Sequence, residues 1–348
     1  MANIAIMGHG VIGSGVSEIL INDNRLIAEK SGEDICVKHI LDLRDFSSLP
    51  YGEIFTKDFE DIAGDSSLDI VVEAMGGIHP AYDFTKRLLE KGISVITSNK
   101  EVVSRFGVEL IHLAHQNNCN YLFEASVGGG VPIIRPMRTC LAANNFNFIT
   151  GIVNGTTNYM LTQMQQKNID FATALKQAQD LGYAEKDPTA DIEGYDAARK
   201  ISILASIAWG KYINPDWIST KGVSDVTIDM INKADKSGCI IRLIARAERL
   251  ENGKITAFVA PCLIPKSHIL SCVSDVFNGI IANGDKTGDI LFYGKGAGKL
   301  ATASAVVGDV VDCIKHKHIT LHNEWSTSGD YFEGFNGQYT EFMPIEKL

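Results

Sequence analysis

The chain opens on a short apolar run, residues 3–7, of the length of a buried strand. Gly8-His9-Gly10-Val11-Ile12-Gly13 follows. Val11, Ile12, Val16, Ile19 and Leu20 then recur at helical spacing up to Asn22. Apolar runs at 35–41, 68–74, 93–97 and 121–125 predict further strands, and the stretches 80–91 and 106–116 read as amphipathic helices between them. Strand and helix alternating at this pitch predict an α/β architecture, a doubly wound parallel sheet. Further along, the pattern predicts a strand at 148–154, then helices from about Tyr159, over 171–181 and over 194–209. It places two strands at 239–248 and 254–262, a glycine-rich loop at 293–298, and a last helix from Ala301 to Val311.

Strand, GxGxxG and helix in succession form a dinucleotide cradle. Gly8 permits the tight turn, Gly10 lets the backbone approach a pyrophosphate, and Gly13 lets helix and strand pack closely. The helix start at Val11 and Ile12 then faces the anion. A flavin dinucleotide or a purely structural version of the loop shares this pattern. After the second strand come Asp42-Leu43-Arg44-Asp45: Asp42 suits the ribose 2′-hydroxyl of NAD, and Arg44 suits the 2′-phosphate of NADP. Both cofactors stay open.

Ligands of such sheets lie beyond the carboxyl ends of the strands. Three candidate segments fall there: Gly76-Gly77, Ser98-Asn99-Lys100 and Glu124-Ala125-Ser126. Lys100 directly follows a strand, which weighs a functional role against a plain surface lysine. Gly128-Gly129-Gly130-Val131-Pro132 breaks the rhythm as a hinge or linker. Three glycines also free backbone carbonyls that, with Glu124, offer oxygen ligands to a hard cation.

In the second half, Gly155-Thr156-Thr157-Asn158 before a helix offers amides and hydroxyls to a carboxylate, although capping alone also accounts for it. Glu185, Asp187 and Asp191 cluster around Pro188, as an ordinary acidic loop or as receivers of a substrate ammonium. Asp196 and Lys200, four apart, share one helix face. They read either as a weak surface pair or as an oriented general acid.

The 348 residues, 45% of them hydrophobic, suffice for two domains with sizeable cores. The net charge of −10 argues against a nucleic-acid surface, though not against a small anion held by amides and a few lysines. No apolar run approaches the ~20 residues that span a bilayer, and the first residues carry no export signature. The expectation is a cytoplasmic protein with no membrane partner. The cysteines, seven in number and never spaced as CxxC, read as reduced thiols rather than a zinc site, with Cys119 and Cys140 buried small hydrophobes or reactive groups.

At this point the residues resemble the homoserine dehydrogenase family over nearly the whole chain to about Asp312. The resemblance is carried by GHGVIGSGV at 8–16, VVEAMGG at 71–77, TSNKEVVS at 97–104, EASVGGGVPII at 124–134, NGTTNYML at 154–161, GYAEKDPTADIEGYDAARK at 182–200 and FYGKGAGKLATASAVVGD at 292–309. It implies NAD(P)-dependent reduction of L-aspartate 4-semialdehyde to L-homoserine, in threonine and methionine biosynthesis, by a cytoplasmic homodimer. The implied architecture is a Rossmann-type domain over 1–130, completed by about 299–317, an α+β catalytic and dimerisation domain over 131–298, and a tail over 318–348.

Matching positions make Lys200 the proton donor, Lys100 a second active-site lysine, and Glu185 the holder of the substrate ammonium. Asp191 and Asp196 match further substrate-site acids, and Gly155 and Thr156 the substrate loop. Gly298, with Gly76, matches the cofactor contacts. Glu124 with the carbonyls of Val127, Gly129 and Val131 matches a sodium site. Strands 239–262 are the expected dimer interface.

Lys295 stands where the family often has proline, which predicts a looser loop, and His9 is an uncommon choice expected to matter little. The stretch after Asp309 is shorter than the ~50 residues at the lower edge of domain size, so no regulatory ACT domain and no threonine feedback through one are expected. Trp325, Tyr331, Phe332, Phe335 and Tyr339 make the tail too aromatic for a disordered end. Two rival readings remain. A phosphorylating aldehyde dehydrogenase needs a cysteine nucleophile that the 154–158 turn lacks. A non-catalytic dinucleotide sensor has no use for Lys100, Lys200 and Glu185 together.

Overall fold

The computed structural model describes residues 1–321, 323–338 and 342–345. The chain divides into two compact units: residues 1–134 with 298–326, and residues 135–297 with the described residues from Thr327 onward.

The first unit holds six parallel strands, β1 (Ala2–Met7), β2 (Ile35–Leu41), β3 (Phe55–Thr56), β4 (Ile70–Glu73), β5 (Ser94–Thr97) and β6 (Tyr121–Leu122), in the order β3-β2-β1-β4-β5-β6. The crossover elements are α1 (Val11–Asn22), α2 (Asn24–Ser31), α3 (Phe59–Ala63), α4 (Ala81–Glu90) and α5 (Lys100–Gln116). Every residue of β4 and β5 is buried, as expected of strands covered on both faces. The order reverses at β1 and β4, and the carboxyl ends there form the switch point where such sheets bind ligands. The α/β, Rossmann-type reading of this half is correct.

Two boundaries near the candidate segments differ from the sequence reading. Helix α5 starts at Lys100 rather than near Phe106, because the Asn99 side chain accepts from the Val102 amide at 3.3 Å and caps it. Lys100 is therefore the first residue of a helix, with Ser98 and Asn99 between it and β5. Strand β6 stops at Leu122, and Glu124 sits in a one-turn 3-10 helix, Glu124–Ser126.

The second unit opens with α6 (Ile134–Arg138), whose first residue closes the first unit, and contains β7 (Phe146–Ile152), α7 (Gly155–Lys167), α8 (Phe171–Asp180), α9 (Thr189–Ile192) and α10 (Tyr195–Trp209). It continues with β8 (Ser219–Thr220), α11 (Ile228–Lys236), β9 (Cys239–Arg249), β10 (Ile255–Pro265), β11 (Phe277–Gly284) and β12 (Gly288–Lys295). Helix α12 (Lys299–Lys315) belongs to the first unit, and the short β13 (Met343–Pro344) to the second. The second sheet runs β12-β11-β7-β9-β10-β13, antiparallel throughout this order, with β8 parallel to β10.

Helix α7 begins four residues before Tyr159, because Asn154 accepts the Thr157 amide at 2.9 Å. Tyr293, Gly294 and Lys295 pair with β11 and are strand rather than loop. Strands β9 and β10, the expected dimer interface, pair with each other along eleven residues. Ile240, Ile244, Phe258 and Cys262 pack there with Leu270, Val273 and Phe342 of the same chain. No helix of the described residues is long and apolar enough to cross a membrane.

The tail divides between the units. Trp325 is buried in the first, edge-on to Phe123, and so close to Gly107 that a Cβ there would lie 2.5 Å from the indole ring. Tyr331 and Phe332 join the second unit, where the Ile255 amide donates to the Tyr331 carbonyl at 2.8 Å. Phe335 stacks obliquely on Phe258 at 4.6 Å. Tyr339 lies outside the described residues.

Candidate functional site

In the first unit the glycine loop between β1 and α1 has the geometry its sequence predicts. Gly8 has φ +91°, and a Cβ there would meet the Ala74 carbonyl oxygen at 2.8 Å. A Cβ on Gly13 would lie 1.8 Å from the Gly8 carbonyl oxygen, whereas one on Gly10 would face open space. Gly8 and Gly13 are therefore demanded by the fold itself, and Gly10 only by what approaches the loop. Val11 and Ile12 open α1, whose first amides point along the loop. A cleft of about 490 Å³ extends from Gly8 and Gly10 along Asp42 and Arg44 to Lys57 and Met75.

Asp42 closes one wall of that cleft. One of its oxygens accepts the His9 amide at 2.8 Å and Arg44 Nη2 at 2.8 Å, and the other takes the Arg44 amide and Nε at 3.0 Å each. The Arg44 hydrogen bond holds the Asp42 carboxyl well below its ordinary range. The His9 ring is buried edge-on to Phe46 and Phe55, at 4.8 and 5.0 Å, and burial lowers its pKa. His9 thus joins the loop to the segment after β2.

At the ends of β4 and β5 lies a residue the sequence reading missed. Glu73 is fully buried. It accepts the Met75 amide at 2.8 Å and the Thr97 hydroxyl at 2.5 Å. Thr97 Oγ1 in turn accepts the Asn99 amide at 2.8 Å, and Asn99 Nδ2 donates to the Gly77 carbonyl at 2.6 Å. Gly76 and Gly77, both at positive φ, are tied in this way to the turn that starts α5 at the half-buried Lys100. Burial raises the Glu73 pKa.

Glu124 is also buried, and one of its oxygens accepts the amides of Ile133 and Ile134 at 2.7 and 2.8 Å. The loop between turns at Gly128 (φ +75°) and Gly129 (φ +56°). Gly298, at φ +126°, precedes α12.

The second unit assembles the remaining candidates. Lys200 Nζ donates to Asp196 Oδ2 at 2.6 Å and to the Val153 carbonyl at 2.8 Å. Its side chain is 12% exposed and that of Asp196 is 6% exposed, so this is no solvated surface pair. The same Val153 carbonyl accepts Asn278 Nδ2 at 3.0 Å. Asn154 Nδ2 donates to Asp191 Oδ1 at 2.6 Å and to Asp196 Oδ2 at 2.8 Å. Burial, and next the nearby Asp196 charge, raise the Asp191 pKa.

Thr156 Oγ1 donates to the Tyr183 carbonyl at 2.7 Å, which fixes the loop that carries Glu185. Gly155 packs so that a Cβ would meet the Val276 carbonyl oxygen at 2.9 Å. Lys200, Asp196, Asp191, Gly155 and Thr156 thus converge around the start of α7. The Glu185 side chain is exposed, and its carboxylate takes no part in these hydrogen bonds. Val153, Asn154 and Asn278 are members that sequence reasoning did not single out. Asn154 alone left a signal, standing at a helix start.

Comparison with known proteins agrees with both halves. A family model described as "Homoserine dehydrogenase, NAD binding domain" matches residues 8–124, and one described as "Homoserine dehydrogenase" matches residues 132–311. A homoserine dehydrogenase of Synechocystis is 38% identical over 99% of this chain and 80% of its own length. One of Pseudomonas aeruginosa is 39% identical over 90% and 72%. The solved structure of a homoserine dehydrogenase from Thiobacillus denitrificans superposes with a TM-score of 0.87 at 38% identity, over 90% of this chain and 73% of that one. A hyperthermophilic archaeal homoserine dehydrogenase in complex with NADPH superposes at 0.76 and 28% identity, over 90% and 97%. The chain belongs to the homoserine dehydrogenase family.

Proposed function

We propose that the cluster centred on Lys200 carries out the proton chemistry of the family's reaction. The chain is an oxidoreductase that reduces L-aspartate 4-semialdehyde to L-homoserine with NADH or NADPH, and the reverse, a step of threonine and methionine biosynthesis. A dinucleotide held at the loop of Gly8, Gly10 and Gly13 would supply the hydride that the aldehyde carbon takes up. Negative charge then develops on the carbonyl oxygen, and the Lys200 ammonium stabilises and protonates it. Asp196 and the Val153 carbonyl hold two of the ammonium's donors, which leaves the third for the substrate oxygen. Asp191 and Glu185 supply negative charge for the substrate ammonium, and Gly155 and Thr156 its docking turn. Lys100, on the turn held by Glu73 and Asn99, is the second lysine of this reading.

The observation that carries this reading is the short contact of Lys200 with Asp196 inside a nearly closed cluster. Its test is NAD(P)H oxidation with aspartate semialdehyde by wild type and Lys200→Ala, with dinucleotide binding measured alongside. The variant should lose at least two orders of magnitude in kcat and still bind dinucleotide. Equal activity would refute the assignment.

The choice between NADH and NADPH turns on the Asp42–Arg44 pair. Asp42 can receive a ribose 2′-hydroxyl only by giving up a donor it already holds, whereas Arg44, 62% exposed, can turn to a 2′-phosphate. Arg44→Ala should therefore raise the KM for NADPH more than that for NADH.

Glu124 and the Val127, Gly129 and Val131 carbonyls are hard oxygen donors, of the type that suits sodium. Glu124 already closes the loop by taking two amides, so the ion adds to a formed loop. Sodium in place of choline at equal ionic strength should raise the melting temperature, and Glu124→Gln should abolish the difference. The same reading takes the protein as a cytoplasmic homodimer.

A further inference from the structure

We infer that Asn154 is a positioning residue whose side-chain amide holds Asp191 and Asp196 as two separate carboxylates and thereby keeps Asp196 turned to the Lys200 ammonium. The inference rests on the catalytic reading of Lys200. Asn154 is buried, and its Nδ2 lies 2.6 Å from Asp191 and 2.8 Å from Asp196. An amide nitrogen carries two hydrogens, one for each carboxylate. The orientation of the amide has only one satisfied form. Asn154 Oδ1 accepts both the Thr157 amide and the Thr157 hydroxyl at 2.9 Å, so a flipped amide would set donors against donors and an oxygen against two carboxylates.

The residue therefore connects three elements, the start of α7, the single turn of α9 and the first turn of α10. Two carboxylates this close repel, and without a donor between them they share a proton or draw in the nearest cation. The nearest cation is Lys200, whose proton the reaction uses. Asn154 satisfies both acids without carrying charge, so Lys200 stays paired with Asp196 alone. The charged groups acting on Asp191 are Asp196 and Lys200, and Asn154 and Thr156 add hydrogen bonds. Glu193, on the adjoining turn, is held by Ser224.

The experiment compares Asn154→Ser and Asn154→Asp with wild type and Lys200→Ala in semialdehyde reduction from pH 5 to pH 8. Serine and aspartate both cap helices, so α7 keeps its start, while both variants lose the bridging donor. The expected result for Asn154→Ser is a semialdehyde KM about tenfold higher and an acid limb of kcat/KM moved up by about one pH unit. Asn154→Asp, which adds a third negative charge, should move the limb further. The KM for dinucleotide should stay within twofold of wild type in both.

Folded variants with the wild-type acid limb and substrate KM would overturn the inference. So would loss of the fold in both variants, which would make the residue a structural cap only. Lys200→Ala separates the two claims. If it reduces the semialdehyde at the wild-type rate, the catalytic reading fails. If it is inactive while the Asn154 variants titrate as wild type, only the inference fails.

Discussion

One methyl group would obstruct the turn between β1 and α1. A Cβ on Gly13 would sit 1.8 Å from the Gly8 carbonyl oxygen, a backbone atom that cannot swing aside. Gly13→Ala must push helix and strand apart, at a cost of about 1–3 kcal/mol. The expected outcome is a lower melting temperature together with dinucleotide affinity at least tenfold weaker, read by quenching of NADH fluorescence. The glycines were legible in the sequence because their role is local, a matter of residues five apart. Asp196 and Lys200 were legible for the same reason, being one helical turn apart. Glu73 was not, and of Asn154 only the helix start was. Their partners Thr97 and Asp191 lie 24 and 37 residues away, and nothing in a side chain's type announces a partner at that distance.

At the scale of the element, capping polar residues shifted helix starts away from where apolar periodicity placed them. Asn99 and Asn154 begin α5 and α7 several residues before the apolar stripe becomes regular. Lys100 and Gly155 are consequently first-turn residues, where amides and the helix dipole favour anions. Parallel strands buried on both faces were easy to read, since their apolar runs are continuous. The β11–β12 hairpin was not. Glycines and asparagines interrupt β11, and the outer strand β12 alternates exposed and half-buried residues. The short helices α2 and α11 are largely polar and span only eight and nine residues.

The turn before α5 also makes a pH prediction. Glu73 has its folded pKa raised above the ordinary 4.5 by burial. The folded chain thus holds the proton more tightly than the unfolded one, and the associated stability is whole below pH 4.5. It is lost as pH rises through the folded value. Glu73→Gln removes that dependence. Melting temperatures should show wild type losing ground to the variant as pH rises from about 4.5, and parallel curves would refute it.

For the whole molecule, each unit has its own core, and neither is continuous in sequence. The chain leaves the first unit after Ile134, returns at Gly298 and leaves again after Ser326. Helix α12 packs Ala303, Val306 and Val310 into the same core as Val16 and Leu20 of α1. Residues almost three hundred positions apart therefore complete one dinucleotide fold. The aromatic content of the tail signalled that it is packed, but not against what. Trp325 and Phe342 are both buried, yet in different units, which a composition count has no means of distinguishing.

The outer edge of β10 is covered in three places by short pieces. Ser219–Thr220 pair with Phe258–Val259, Tyr331 and Glu333 exchange backbone bonds with Ile255, and Met343–Pro344 pair with Leu263–Cys262. Two of the three pieces come from the tail. Removing the chain from Thr327 onward would expose much of an eleven-residue apolar strand edge, and such edges template the pairing of one chain with another. A chain ended at Ser326 should form high-molecular-weight species in light scattering during refolding, and a truncated chain that scatters no more than the full one would refute this. The tail pieces thus cap a strand edge open to unregulated pairing, and tags or fusions attached through them must leave those two pairings intact.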